Sequence, residues 1–92
     1  MKNVTKREFT KAMKLIANAL KVETGEQAYR QGTGLMFVED WAGPGEHAIV
    51  GEGPGIPYEW VMAIPEATHN TLARAGIYAE PNDHCTLRLY YV

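Results

Sequence analysis

Cysteine is nearly absent from this chain. Cys85 is the only one in 92 residues, so no intrachain disulfide can form. A secreted domain of this length is ordinarily stapled by several disulfides, and a reducing compartment is therefore expected. Long apolar runs are missing too. The opening stretch, Met1 to Phe9, lacks the roughly 7 to 15 apolar residues of a signal-peptide core, and nothing elsewhere approaches the roughly 18 that span a bilayer. Neither export nor membrane contact is expected. Cations become scarce after residue 22. The first 22 residues hold six cations against one carboxylate, a net +5, whereas the remaining 70 hold three against ten, a net −7. The total of −2 thus conceals a basic arm joined to an acidic body, an asymmetry that points to an anionic partner for the arm. No repeat or low-complexity run divides the chain, and its hydrophobic content of 46% fits one core. A single domain over residues 1–92 is expected.

The basic arm has the strongest local signals. Thr5 and Glu8 have the spacing of a capping box, and Val4 and Phe9 stand where a hydrophobic staple would close over it. Phe9, Met13, Ile16 and Leu20, with Ala12 and Ala19 beside them, recur at steps of three and four and predict an amphipathic helix from Thr5 to about Val22. At 100° per residue, Arg7, Lys11, Lys14, Asn18 and Lys21 fall within about 40° of one line on the opposite side. Cations on the far side of a core-packed helix commonly serve only as solvated spacers. Four in phase, with no carboxylate between them, make this ridge the candidate binding site.

Beyond the arm, Thr24 to Gln31 reads as a short helix, with Thr24 and Gln27 as a weaker capping box and Gly32 as its stop. Leu35 to Trp41, Glu46 to Gly51 and Tyr58 to Ile64 read as strands of an antiparallel meander, punctuated by Gly43-Pro44-Gly45 and Gly53-Pro54-Gly55. Pro65 to Ala75 is a helix with Pro at its start, Glu66 in its first turn and Gly76 as its end. Ile77 to Glu80 then pairs with Cys85 to Tyr91 across Pro81-Asn82-Asp83-His84. Cys85, Leu87, Leu89 and Tyr91 share the inward face of that last strand. The expected architecture is α+β: an N-terminal helix packed on a small antiparallel sheet of four to five strands, with a second short helix before the last hairpin.

Catalytic and metal-binding patterns are weak. The glycines of Gly51-Glu52-Gly53-Pro54-Gly55 lack the Lys-Ser/Thr of a phosphate-binding loop and lead into an apparent strand, and Glu52 would repel a phosphate. They read as a plain turn. His47, His69, His84 and Cys85, with Asp83 or Glu46, do not have the paired spacing of zinc ligands. A Cys85–His84 dyad is disfavoured because adjacent residues on a strand point to opposite faces. Glu39 and Asp40 diverge for the same reason. No cofactor, metal or catalytic residue is therefore assigned. Of Trp41, Tyr58, Trp60, Tyr78, Tyr90 and Tyr91, the pair Tyr58 and Trp60 would share a strand face while Tyr90 and Tyr91 split across theirs. At least one ring is expected at the surface, covering the sheet or anchoring a contact.

These features favour a binding module over an enzyme, with a small regulatory protein–protein interaction subunit as the alternative and a cryptic enzyme as the third reading. The short length, the helix from Thr5-Lys6-Arg7-Glu8-Phe9 through Leu20-Lys21-Val22 and the acidic sheet ending at Tyr90-Tyr91-Val92 together resemble the small phage-encoded anti-CRISPR proteins that act on class 1 (type I) surveillance complexes. The likeness is one of architecture and carries over no functional residue. It implies a stoichiometric inhibitor in the bacterial host cytoplasm. Its partner would be a host protein or ribonucleoprotein complex, and it would occupy a protein surface or guide-RNA phosphates that target DNA needs. On that reading Arg7, Lys11, Lys14, Asn18 and Lys21 would meet the partner.

Overall fold

The structure, a computed structural model, describes residues 2–92. The first helix, α1, spans Lys6–Leu20, and the Thr5 hydroxyl accepts a hydrogen bond from the Glu8 amide at 3.2 Å, the hydroxyl half of the expected capping box. Val4 and Phe9 are 2% and 1% exposed and belong to one hydrophobic cluster, as a staple requires. Phe9, Ala12, Met13, Ile16 and Ala17 make the buried stripe. Ala17 replaces the expected Ala19, which is exposed, because the buried arc is rotated toward the flank that Ala17 shares with Met13. The helix stops short of Val22. Lys21 takes a left-handed conformation (φ 59°, ψ 43°), and the amides of Lys21 and Val22 donate to the carbonyls of Asn18 and Ala17, a Schellman ending built on a lysine.

A two-residue strand, β1 (Glu23–Thr24), follows, then helix α2 (Glu26–Arg30) and strand β2 (Gly34–Val38). β1 runs parallel to β2, with Glu23 opposite Gly34 and Thr24 opposite Leu35. The expected capping box of Thr24 and Gln27 does not form, since Thr24 belongs to the strand and Gly25 occupies the cap position at φ 115° with no side-chain cap. β2 pairs antiparallel with β3 (Ala48–Val50), so these two strands are shorter than the apolar patterns implied.

Tyr58 to Ile64 is not a strand. Trp60–Met62 form a 3-10 turn, with Glu59 left-handed at φ 55° before it. The adjacent residues Trp60 and Val61 are both buried, whereas Tyr58 is 79% exposed. Burial of neighbours in sequence breaks the period of two that a strand requires, and Pro57 and Pro65 bracket the segment, removing amides from any ladder. Trp60 instead tucks under the sheet, its indole Nε1 donating to the Gly51 carbonyl at 2.8 Å.

Helix α3 (Glu66–Arg74) starts after Pro65 and ends at Gly76 (φ 79°), close to expectation. The last hairpin pairs β4 (Ile77–Asp83) with β5 (Thr86–Tyr91), from Ile77 opposite Tyr91 to Asp83 opposite Thr86, with an irregularity between Pro81 and Asp83. The turn is therefore His84-Cys85 alone, and Cys85 lies outside the strand.

The sheet order is β1-β2-β3-β5-β4. It is mixed, an antiparallel four-stranded body with the parallel β1 at one edge. It is not a meander, because β5 takes the place beside β3 that the Tyr58 segment was expected to fill. α1 packs on β1, β2 and β3, and α3 packs on β4 and α1. Leu35, Ile49, Ile77, Leu87 and Leu89 meet Phe9, Met13, Ile16, Trp60 and Leu72 in one hydrophobic cluster. Among the described residues no helix is long and apolar enough to cross a membrane.

Candidate functional site

The cationic ridge is positioned by the helix that buries its opposite side. Arg7, Lys11, Lys14 and Asn18 lie on α1 and are exposed; Lys21 is exposed one residue past its end, at the left-handed cap. With a rise of about 1.5 Å per residue, the stretch from Arg7 to Asn18 presents its side chains over about 16 Å. Among the described residues the ion pairs on this helix reduce to one, Lys6 with Glu39 at 3.3 Å, and that lysine lies off the ridge. Among the described residues Arg7, Lys11, Lys14 and Lys21 have no carboxylate within ion-pair distance. Lys11 also borders an apolar groove between α1 and α3, about 260 Å³ in volume, with Leu15, Leu72 and Ile77 in its wall. Such an arrangement can hold an anionic surface by charge, with little demand on shape.

Two amides of the glycine segment are engaged internally, Gly51 with the Cys85 carbonyl and Gly55 with the Gly32 carbonyl at 2.8 Å. The Ile56 amide just after it donates to the Gly53 carbonyl at 3.4 Å. The segment is a backbone crossing over the connection between α2 and β2, as a turn reading implies. The histidines separate. His47 is buried against Phe9 and Phe37, its Nδ1 accepting from the Asp40 amide at 3.0 Å, and so packs the core. His69 is half-buried on α3.

His84 behaves differently. In the two-residue turn it is no longer bound by strand alternation, and its Nε2 lies 3.2 Å from Glu52 Oε2. Glu52, His84 and Cys85 each offer one donor atom within 4.8 Å of the others. Tyr58 stacks on the His84 ring at 5.2 Å between centroids. The Asp83 carboxylate accepts from the Cys85 amide at 3.0 Å, which holds that carboxyl below its ordinary value. Partial burial pushes the Cys85 thiol up, and the Asp83 and Glu52 carboxylates add to the rise. A thiol raised in this way is a poor free nucleophile. This grouping escaped the spacing argument because Glu52 is 32 residues from His84. The signal that finds it is register: Val50 opposite Thr86, continued by two residues, brings Glu52 to His84.

A second unforeseen feature is Arg88. Its side chain is only 11% exposed, with the guanidinium 5.8 Å from the centroid of Trp41 and 5.5 Å from that of Tyr90. Tyr78, on the edge strand β4, lies against Tyr90 with the rings tilted at 30° and their centroids 5.5 Å apart. The aromatics at the surface are thus Trp41, Tyr58 and Tyr78, while Tyr90 and Tyr91 are half-buried. Comparison with protein-family models, with curated proteins and with solved structures returned no match.

Proposed function

We propose that this chain acts by binding, without catalysis of its own, and that the outer face of α1 docks on an anionic partner. The observation that carries this reading is the set Arg7, Lys11 and Lys14: exposed, in phase, and without internal counter-ions among the described residues. Cations left unpaired by a protein of net charge −2 keep their full attraction for an external anion. Lys21 and Asn18 extend the face. By the resemblance to anti-CRISPR proteins, the partner is a type I surveillance ribonucleoprotein in the bacterial cytoplasm, and the face covers guide-RNA phosphates that target DNA recognition requires.

The test is capture of such a complex by the tagged full chain, repeated with a Lys11→Glu/Lys14→Glu double variant. The wild-type chain is expected to recover the ribonucleoprotein and the double variant to lose it while keeping its circular dichroism spectrum, since both positions are on the solvent side. Contact with single-strand phosphate gives a log-log salt slope of about −0.7 for each phosphate neutralised, so about −2 to −3 for three to four contacts. Capture that survives removal of the RNA would assign the face to a carboxylate-rich protein, the interaction-subunit alternative. Undiminished capture by the double variant would reduce the ridge to a solvated flank.

A further inference from the structure

The segment after β3 and the turn of the last hairpin bring three chemically different metal-binding side chains together. The β3–β5 ladder continues past its last strand residues, as the Gly51 amide donating to the Cys85 carbonyl at 3.0 Å demonstrates. One residue further on, Glu52 Oε2 reaches His84 Nε2 at 3.2 Å, and the Cys85 thiol completes a triangle whose sides are all within 4.8 Å. We propose that Glu52, His84 and Cys85 form a site for a divalent metal of the zinc class, bound through a carboxylate oxygen, Nε2 and Sγ, with water in the fourth position and the Cys85 thiol proton released to solvent as the metal binds.

Donor chemistry selects the metal. One thiolate, one imidazole and one carboxylate suit a borderline cation such as Zn²⁺, whereas Mg²⁺ and Ca²⁺ prefer oxygen alone. Metal–ligand bonds of about 2.0 to 2.3 Å at tetrahedral angles separate neighbouring donors by about 3.3 to 3.6 Å. The Glu52–His84 pair, at 3.2 Å, stands within about 0.1 Å of that spacing, and the other sides, at no more than 4.8 Å, need to shorten by about 1 Å.

The surroundings agree with a cation. Asp83 Oδ1 lies 3.4 Å from the Cys85 sulfur, adding a second carboxylate beside the ligands. Among the described residues no Lys or Arg pairs with Glu52 or Asp83, and His84 is the only basic group in contact. The frame is also constrained: Asp83 holds the Cys85 amide, Gly51 holds its carbonyl, and the Tyr58 ring lies nearly parallel to the imidazole at 29°. A cleft of about 60 Å³ beside the triangle, with Gly53, Ile56 and Pro57 in its wall, gives water access to the open position. This site is remote in sequence from the α1 ridge and does not depend on the binding reading.

The experiment is titration of the reduced, metal-free full chain with Co²⁺ as an optical probe. One equivalent is expected to produce visible bands of tetrahedral intensity and a near-ultraviolet thiolate-to-cobalt absorption, both removed by Zn²⁺. C85A should abolish the thiolate band. H84A and E52Q should each weaken Co²⁺ binding by about tenfold or more, while H69A should leave it unchanged. Glu52 and His84 are exposed, so those two variants carry the test if C85A is not folded. Zn²⁺ should raise the melting midpoint of the wild-type chain and leave that of H84A where it was. Absence of a thiolate band at one equivalent, or equal affinity of wild type, H84A and E52Q, would overturn the site.

Discussion

Gly53 passes so close to the connection between α2 and β2 that a Cβ built on it would meet the Gly32 α-carbon and lie 2.6 Å from the Gly32 carbonyl oxygen. Its φ of 153° is also one that side-chain-bearing residues avoid. Because the obstacle is backbone, no rotamer change relieves it. Gly53→Ala is therefore expected to destabilise the fold by about 3 kcal/mol, read as a lower denaturant midpoint with an unchanged slope. A loss under about 0.5 kcal/mol would mean that the crossing opens easily. In the sequence Gly53 is legible as a turn residue; its need for a bare backbone is not, since Gly32 stands far away along the chain. Arg88 teaches the same lesson. Alternation assigns it to the outer sheet face, but its enclosure between Trp41 and Tyr90 depends on where the connection from β2 to β3 folds back.

Helix α1 is the element whose start is written most fully in its own residues. The cap, the first-turn acid and the staple all lie between Val4 and Phe9, and each agrees with the others. Thr5→Ala is expected to cost about 1 kcal/mol, the usual worth of an N-cap. Amide exchange should quicken at Lys6 to Glu8, whose donors have no helical acceptor. Unchanged exchange there would shift the credit to Val4 and Phe9. Tyr58 to Ile64 carries a strand pattern yet forms a 3-10 turn. Tyr58, Trp60 and Met62 alternate with Glu59, Val61 and Ala63, a pattern that suits a strand, but β-pairing needs a free neighbour as well as a pattern. The edge of β3 is occupied by β5, and the prolines at 57 and 65 make the segment a poor competitor for it.

At the scale of the molecule, β5 lies between β3 and β4 and contributes Leu87 and Leu89, both buried. Each such side chain is worth roughly 1.5 to 3 kcal/mol on burial, and a domain of this size has only about 5 to 10 kcal/mol in all. Removal of residues 86–92 is thus expected to abolish the cooperative melt and the near-ultraviolet circular dichroism. A truncated chain that still melted cooperatively would place the stability in α1 and β2. The same scale separates what sequence and structure each decide. Local order sufficed for α1, α3 and the helical phase that gathers Arg7, Lys11 and Lys14, because a helix relates residues three and four apart by geometry alone. The strand order β3-β5-β4, the seating of Trp60 beneath Gly51 and the meeting of Glu52 with His84 and Cys85 were decided only in the tertiary structure. Each joins segments whose distance along the chain carries no directional information until the burial of a shared core selects one register from the many that the strand pattern permits.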